Sequence, residues 1–114
     1  MRFDYKIKNE FNVCIIEMNG DLVDRNQAAA MMAEFDELIS QKQLKYVFDL
    51  GELKYMNSTG LNVLINLFTK TRKEGGEVII ANVNKKITEL LIITKLTSLF
   101  NITDSAEKAI AKLK

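Results

Sequence analysis

Hydrophobic and polar positions change period several times along this chain, and each period predicts an element. Arg2-Phe3-Asp4-Tyr5-Lys6-Ile7-Lys8 alternates charged with apolar side chains, the period of two expected of a strand with one wet face. Asn9-Glu10 reads as a tight turn. Val13-Cys14-Ile15-Ile16 is apolar at successive positions, as a strand covered on both faces should be. Gly20 closes it, so a strand–turn–strand hairpin opens the fold. The period then lengthens. Ala28, Met31, Met32, Phe35, Leu38 and Ile39 recur at helical spacing, and Asp24 with Gln27 three residues on has the form of a capping box. This predicts a first helix ending near Gln41. Met31 and Met32 suit an adaptable binding face, but core packing is the plainer reading.

The second half repeats the alternation of types. Tyr46-Val47-Phe48-Asp49-Leu50 is dense in strand formers, and Gly51-Glu52-Leu53-Lys54-Tyr55-Met56-Asn57 reads as the loop after it. A second helix starts at Ser58-Thr59-Gly60, with Leu61, Leu64, Ile65 and Phe68 on its apolar face. Lys70, Arg72 and Lys73 fall in its last turn, where cations complement the helix dipole, and Gly75-Gly76 stops it. Glu77-Val78-Ile79-Ile80-Ala81 is a further strand. Strand, helix, strand with short joints is a βαβ unit, which implies parallel pairing and a right-handed crossover. Asn84 can cap a third helix to about Ile93. Leu96 and Phe100 follow as an apolar connection. Asp104 with Glu107 resembles a second capping box before a terminal helix carrying Ala106, Ala109, Ile110 and Leu113. The fold class is therefore α/β: an N-terminal hairpin plus βαβ units, one mixed sheet with about four helices, and a single domain over residues 1–114.

Composition narrows the chemistry. The 114 residues include no His, no Pro and one Cys, and carry a net charge of +1. Without His there is no imidazole base and no Ser-His or Cys-His nucleophile pair. One Cys makes neither an internal disulfide nor a four-ligand zinc site, and suits a reducing cytoplasm. A near-neutral charge argues against non-specific nucleic-acid binding. No apolar run reaches the ~20 residues of a membrane span, and Met1-Arg2-Phe3-Asp4-Tyr5 is not a signal-peptide pattern. No cofactor is called for. What remains is a small soluble binding or regulatory domain, expected in the cytoplasm, or an enzyme built on carboxylates, Lys and hydroxyls, for which the spacing offers no acid/base partners.

One segment stands out. In open α/β sheets functional loops gather beyond the carboxyl ends of the strands, and the loop after Leu50 delivers Asn57-Ser58-Thr59-Gly60 to a helix start. Asn and Ser can both accept from the unpaired first-turn N–H groups, and Gly60 leaves room for a close neighbour. Good capping alone explains this string. That is the plainer reading; the string also suits an anion or a phosphate on Ser58, which would add about −1.5 to −2 charges there.

Phe48-Asp49-Leu50, Tyr55-Met56-Asn57-Ser58-Thr59-Gly60-Leu61 and the Gly75-Gly76 pair before Val78-Ile79-Ile80 resemble the STAS domain, in particular the bacterial anti-sigma factor antagonists. Gly20-Asp21-Leu22-Val23 resembles that family's Gly-Glu-Leu segment. Leu91-Ile92-Ile93-Thr94-Lys95-Leu96-Thr97-Ser98-Leu99-Phe100 resembles its stretch before the last helix. The resemblance spans nearly the whole chain. It implies an antagonist that binds an anti-sigma factor, often itself a serine kinase, and so frees a sigma factor. Phosphorylation of the helix-opening Ser then releases the antagonist, and a serine phosphatase resets it. By position that residue is Ser58, with Thr59 a lesser acceptor, and the partner-binding set is Asn57, Ser58, Thr59, Gly60, Asn62, Asp21 and Asp24. The chain would be a substrate and a binder rather than an enzyme. Three positions depart from the family pattern: Asn57 stands where Asp is usual, Lys95 where Gly is common, and Asn62 where a small residue is frequent. The alternative implied by the same resemblance is a non-phosphorylated STAS subunit of a membrane lipid-transport complex, soluble and without membrane insertion of its own.

Other residues read more plainly. Cys14, flanked by Val13 and Ile15, is expected to be a buried inert thiol. Asp21 and Asp24 could attract a cation, but capping accounts for Asp24. Asp49 inside an apolar strand is expected either to point to solvent or to help hold the following loop. Lys70, Arg72, Lys73, Lys85 and Lys86 read as solvated faces. Gly75-Gly76 follows a helix and lacks the spacing of a phosphate loop.

Overall fold

A computed structural model describes residues 2–97 and 100–113. Its strands are β1 (Phe3–Glu10), β2 (Val13–Leu22), β3 (Lys45–Met56), β4 (Glu77–Ala81) and β5 (Asn101–Thr103). Its helices are α1 (Ala29–Ser40), α2 (Ser58–Lys73), α3 (Lys85–Ile93) and α4 (Ala106–Leu113), with a 3-10 turn over Arg25–Ala28 before α1. The sheet order is β1-β2-β3-β4-β5. β1 is antiparallel to β2, and every later pair is parallel.

Because each parallel strand is added on the same side of its predecessor, right-handed crossovers place α1, α2 and α3 on one face of the sheet. α4 closes the opposite face. Strand parity shows the division. Cys14, Ile16 and Met18 join Tyr46, Phe48 and Leu50 in the larger core with Met31, Phe35 and Leu64. Val13 and Ile15 point the other way, with Val47, Ile79 and Ala81, onto Ala109, Ile110 and Leu113. Both Met31 and Met32 are buried, so these residues are core. Cys14 is fully buried, and burial pushes its thiol from 9.0 up to about 11, which makes it inert.

Several boundaries differ from the sequence reading. β1 continues through Glu10, and the turn is Phe11-Asn12, both at positive φ (54° and 63°). This is the geometry a two-residue hairpin demands, reached here without glycine. β2 likewise runs past Gly20 to Leu22. The Asp24–Gln27 capping box is present, but it caps the 3-10 turn rather than α1 itself. The terminal helix is capped by Ser105, whose Oγ accepts from Lys108 N at 3.2 Å, while Asp104 pairs with Lys108 Nζ at 3.0 Å. β5, three residues long, was not expected; Phe100 stacks edge-on against Phe68 just before it (5.1 Å). Ser98 and Leu99 of the Leu91-to-Phe100 stretch lie outside the described residues.

The largest difference bears on the site. Residues 51–56, read as a loop, are the second half of β3. The β2–β3 register slips twice, from Glu17↔Asp49 to Asn19↔Glu52 and from Gly20↔Leu53 to Asp21↔Tyr55. Each slip inserts an extra residue into β3, a bulge that turns the strand. The buried positions consequently fall at Leu50, Leu53 and Met56, a spacing of three that hides a strand from any period-two test. Asp49 steadies the first bulge. Its Oδ1 accepts from Gly51 N and from Asn82 Nδ2, both at 3.0 Å.

Candidate functional site

The bulged half of β3 carries the chain to the start of α2, and Asn57 makes the corner. Its backbone is extended (φ −102°, ψ −171°), and Oδ1 accepts from Gly60 N at 2.9 Å, the N-cap bond. The other end of the amide works too: Nδ2 donates to Val23 O at 3.1 Å. The Asn57 backbone N–H donates to Leu22 O at 3.4 Å. Asn57 thereby binds the start of α2 to the end of β2.

Gly60 completes this contact. A β-carbon there would stand 2.1 Å from Leu22 O and 2.8 Å from Met56 Cγ. Only a residue without a side chain lets the first turn of α2 rest on the β2 backbone. This is the close neighbour expected from the sequence.

Ser58 is the first residue of α2, and both it and Thr59 are exposed. Capping was expected from Asn and Ser together, but Asn57 performs it alone. Among the described residues the Ser58 hydroxyl has no hydrogen-bond partner. The result is an accessible hydroxyl on a fixed backbone. Asn62 is exposed on the next turn of the same helix.

Ser58 also borders a cleft of about 410 Å³, shared with Tyr55, Asn57, Lys86, Glu89, Leu90 and Ile93. β3 and β4 are parallel neighbours, so the helices that follow them begin side by side and the gap between them forms the cleft. Its rim carries exposed apolar side chains, Ile93 at 77% and Tyr55 at 44%; Ile92, next in sequence but outside the cleft, is 58% exposed. Sequence reasoning missed the α3 side. A signal was there. Ile87, Leu90 and Leu91 already satisfy one buried stripe, so Ile92 and Ile93 are apolar residues beyond what the core can use.

The remaining predicted residues lie elsewhere. Asp21 is half-buried at the end of β2 and faces a separate shallow groove with Arg2, Asp4, Asn19, Glu52 and Lys54. Asp24 is occupied in capping; its Oδ1 accepts from Asn26 N at 2.8 Å. Among the described residues no three His, Cys, Asp or Glu side chains come together as a metal site would require. No helix among them is long and apolar enough to cross a membrane. Lys70 pairs with Asp36 at 2.9 Å, and Arg72 lies over the Phe68 ring at 5.8 Å.

A parallel sheet extended by an N-terminal hairpin, with a serine-opened helix at the carboxyl end of a bulged central strand, defines a small α/β module with one presented corner. The STAS domain family model matches residues 4–109. The chain belongs to the STAS domain family. It is similar to the anti-sigma F factor antagonist of Paenibacillus polymyxa, with 26% identity over 99% of this chain and 97% of that protein. Its fold superimposes on an anti-sigma factor antagonist from Mycobacterium paratuberculosis with a TM-score of 0.84 (18% identity, 98% of this chain and 94% of that one). It also superimposes on the Bacillus cell fate determinant SpoIIAA in its phosphorylated form with a TM-score of 0.77 (15% identity, 97% and 100% covered). At these identities the structural likenesses speak to the fold.

Proposed function

We propose that the chain is an anti-sigma factor antagonist that works by partner switching, with Ser58 as the phosphorylated residue. One observation carries the reading: Ser58 is an exposed, unengaged hydroxyl at a helix start whose capping is done by Asn57, beside a cleft with an apolar rim. A relative of the same fold is known in a phosphorylated form, which supports a modified state for this architecture.

In the unmodified state Asn57, Ser58, Thr59, Gly60 and Asn62 meet an anti-sigma factor, with Asp21 and Asp24 at the margin, and the sigma factor is freed. The anti-sigma factor acts as a serine kinase. Ser58 Oγ attacks the γ-phosphorus of ATP, the bond to the bridging oxygen breaks, ADP leaves, and the hydroxyl proton passes to a base of the kinase. The phosphate brings about −1.5 to −2 charges, which turns a chain of net charge +1 slightly negative at one corner. A surface matched to a neutral hydroxyl and an apolar rim then carries a dianion for which the partner supplies no counter-charge, and the complex separates. A serine phosphatase restores the hydroxyl by hydrolysis. The chain supplies no catalysis of its own.

The test is incubation with the candidate kinase and ATP, followed by intact-mass measurement. One phosphate is expected on the native chain and on Thr59→Ala, and none on Ser58→Ala. Tight binding with no modification would refute the switch. Co-purification from the source cell distinguishes the alternative family role: a permease and transport ATPase in place of a kinase would return the lipid-transport reading.

A further inference from the structure

We infer that Lys86 is the built-in counter-charge for a phosphate on Ser58, drawing it across the cleft in front of Leu90 and Ile93. This rests on the reading of Ser58 as the modified residue. Ser58 and Lys86 border the same cleft from opposite sides, Ser58 on α2 and Lys86 on α3.

Among the described residues Lys86 is in none of the ion pairs, which engage only Arg2, Lys8, Lys42, Lys70 and Lys108. Most other lysines and arginines share this, and what sets Lys86 apart is its place on the cleft beside Ser58. It sits in the first turn of α3, which holds no acidic residue. A cation at that end opposes the helix dipole, so helix stability is not its purpose. The charged groups on the segments around the start of α2 are Asp21 on β2, Glu52 and Lys54 on β3, Asp24 and Arg25 at the 3-10 turn, and Lys85, Lys86 and Glu89 on α3. Of these only Lys86 and Glu89 line the cleft with Ser58. Lys86 attracts a dianion there and Glu89 repels it. Lys85 carries the same charge one residue away and does not line the cleft, which makes it an internal control.

Pairing adds a steric arm to release. A phosphate held toward Lys86 lies over the apolar rim that a partner would need, instead of extending freely into solvent. Charge and obstruction then act together, from one modification.

The test installs phosphoserine at position 58 during synthesis of the full chain, so its outcome does not depend on whether a kinase modifies that site. The second ionisation of the phosphate, ordinarily near pH ~6, is followed by phosphorus NMR. Lys86→Ala should raise its midpoint by about half a pH unit, the size of an exposed ion pair. Lys85→Ala should raise it distinctly less, Lys86→Arg should keep the native value, and Glu89→Gln should lower it. The Ile93 methyl resonances should move on phosphorylation in the native chain and much less in Lys86→Ala. An unchanged midpoint in Lys86→Ala, or an equal shift in Lys85→Ala, would overturn the inference. Failure of the kinase to modify Ser58 would instead refute the proposed function and leave the titration result standing.

Discussion

Gly60→Ala sets two physical expectations against each other. In an exposed helix interior, Ala is more favourable than Gly by about 1 kcal/mol, so propensity alone forecasts a more stable protein. The structure forecasts the reverse. The added β-carbon would stand 2.1 Å from Leu22 O and 2.8 Å from Met56 Cγ, far inside van der Waals contact. Met56 is a flexible side chain and can give way, but Leu22 O belongs to the sheet backbone. The first turn of α2 must therefore lift. Lifting stretches the bond from Asn57 N–H to Leu22 O, already 3.4 Å, and the bond from Asn57 Nδ2 to Val23 O at 3.1 Å. Overpacking of this kind costs about 1–3 kcal/mol, and weakening a half-buried hydrogen bond adds about 1 kcal/mol. After the propensity gain the net loss is about 1–3 kcal/mol, or roughly 4–12 °C in melting temperature for a domain of this size. Urea and thermal unfolding followed by circular dichroism measure it, with Thr59→Ala as an exposed control expected to change little. A Gly60→Ala protein as stable as the native one would mean that the α2–β2 contact is looser than the structure describes, and that Ser58 is not rigidly presented.

Three further outcomes follow from the same geometry. Asn57→Ala should cost about 1–2 kcal/mol through the lost cap, and Asn57→Asp clearly less, since a carboxylate still accepts from Gly60 N; equal losses in urea unfolding would assign the main role to the Val23 bond instead. Lys95→Gly should raise stability by about 0.5–1 kcal/mol, because Lys95 holds φ +60° at the end of α3, where the Leu96 N–H reaches back to Leu91 O at 2.8 Å; a lower melting temperature would contradict this. Stability should fall between pH 9 and about 11. Over that window an unfolded chain gives up the Cys14 proton, whose ordinary value is 9.0, while the folded chain keeps it until about 11. The loss is on the order of 2–3 kcal/mol. The Tyr46 hydroxyl, also raised by burial, acts in the same direction, and Cys14→Ala should flatten part of the slope in a pH series of melts.

The elements that declared themselves in the sequence are those whose burial follows one period. α2 keeps Leu61, Leu64 and Phe68 on one face, and β4 is short and covered on both sides, so both were legible. β3 was legible only to Leu50. Beyond it two bulges change the phase of burial, and such a stretch has neither the period of a strand nor that of a helix. β5 was illegible for another reason. Three residues are too few to show a period, and β5 is defined by its pairing with Ile79, Ile80 and Ala81, a long-range fact. Half of the candidate site was readable, because capping chemistry is local and Asn57, Ser58 and Gly60 are consecutive or nearly so. The α3 side depends on two helices starting side by side. It left only an indirect trace, the excess of apolar residues at Ile92 and Ile93.

Lys95 and Asn57, where the resemblance leads one to expect Gly and Asp, act on the structure in opposite ways. Lys95 leaves the left-handed turn in place and bears a backbone cost in doing so. Asn57 changes what the corner can do. An Asp there would accept from Gly60 N as Asn does, and would add a negative charge at the favourable end of α2. It could not donate to Val23 O, so one of the two tethers between the α2 start and the β2 end would be gone. Asn57 therefore exchanges a charge beside Ser58 for a second hydrogen bond to the sheet. The exchange affects the hydroxyl in two respects. Its backbone is held more firmly, and a phosphate placed on it meets no carboxylate at the adjacent residue. The repulsion left in the cleft comes from Glu89, across from Ser58 on α3, and Lys86 stands on the same helix to oppose it. On the proposed reading, the charge met by a phosphate on Ser58 within the cleft is thus set from the neighbouring helix rather than from the residue that caps its own.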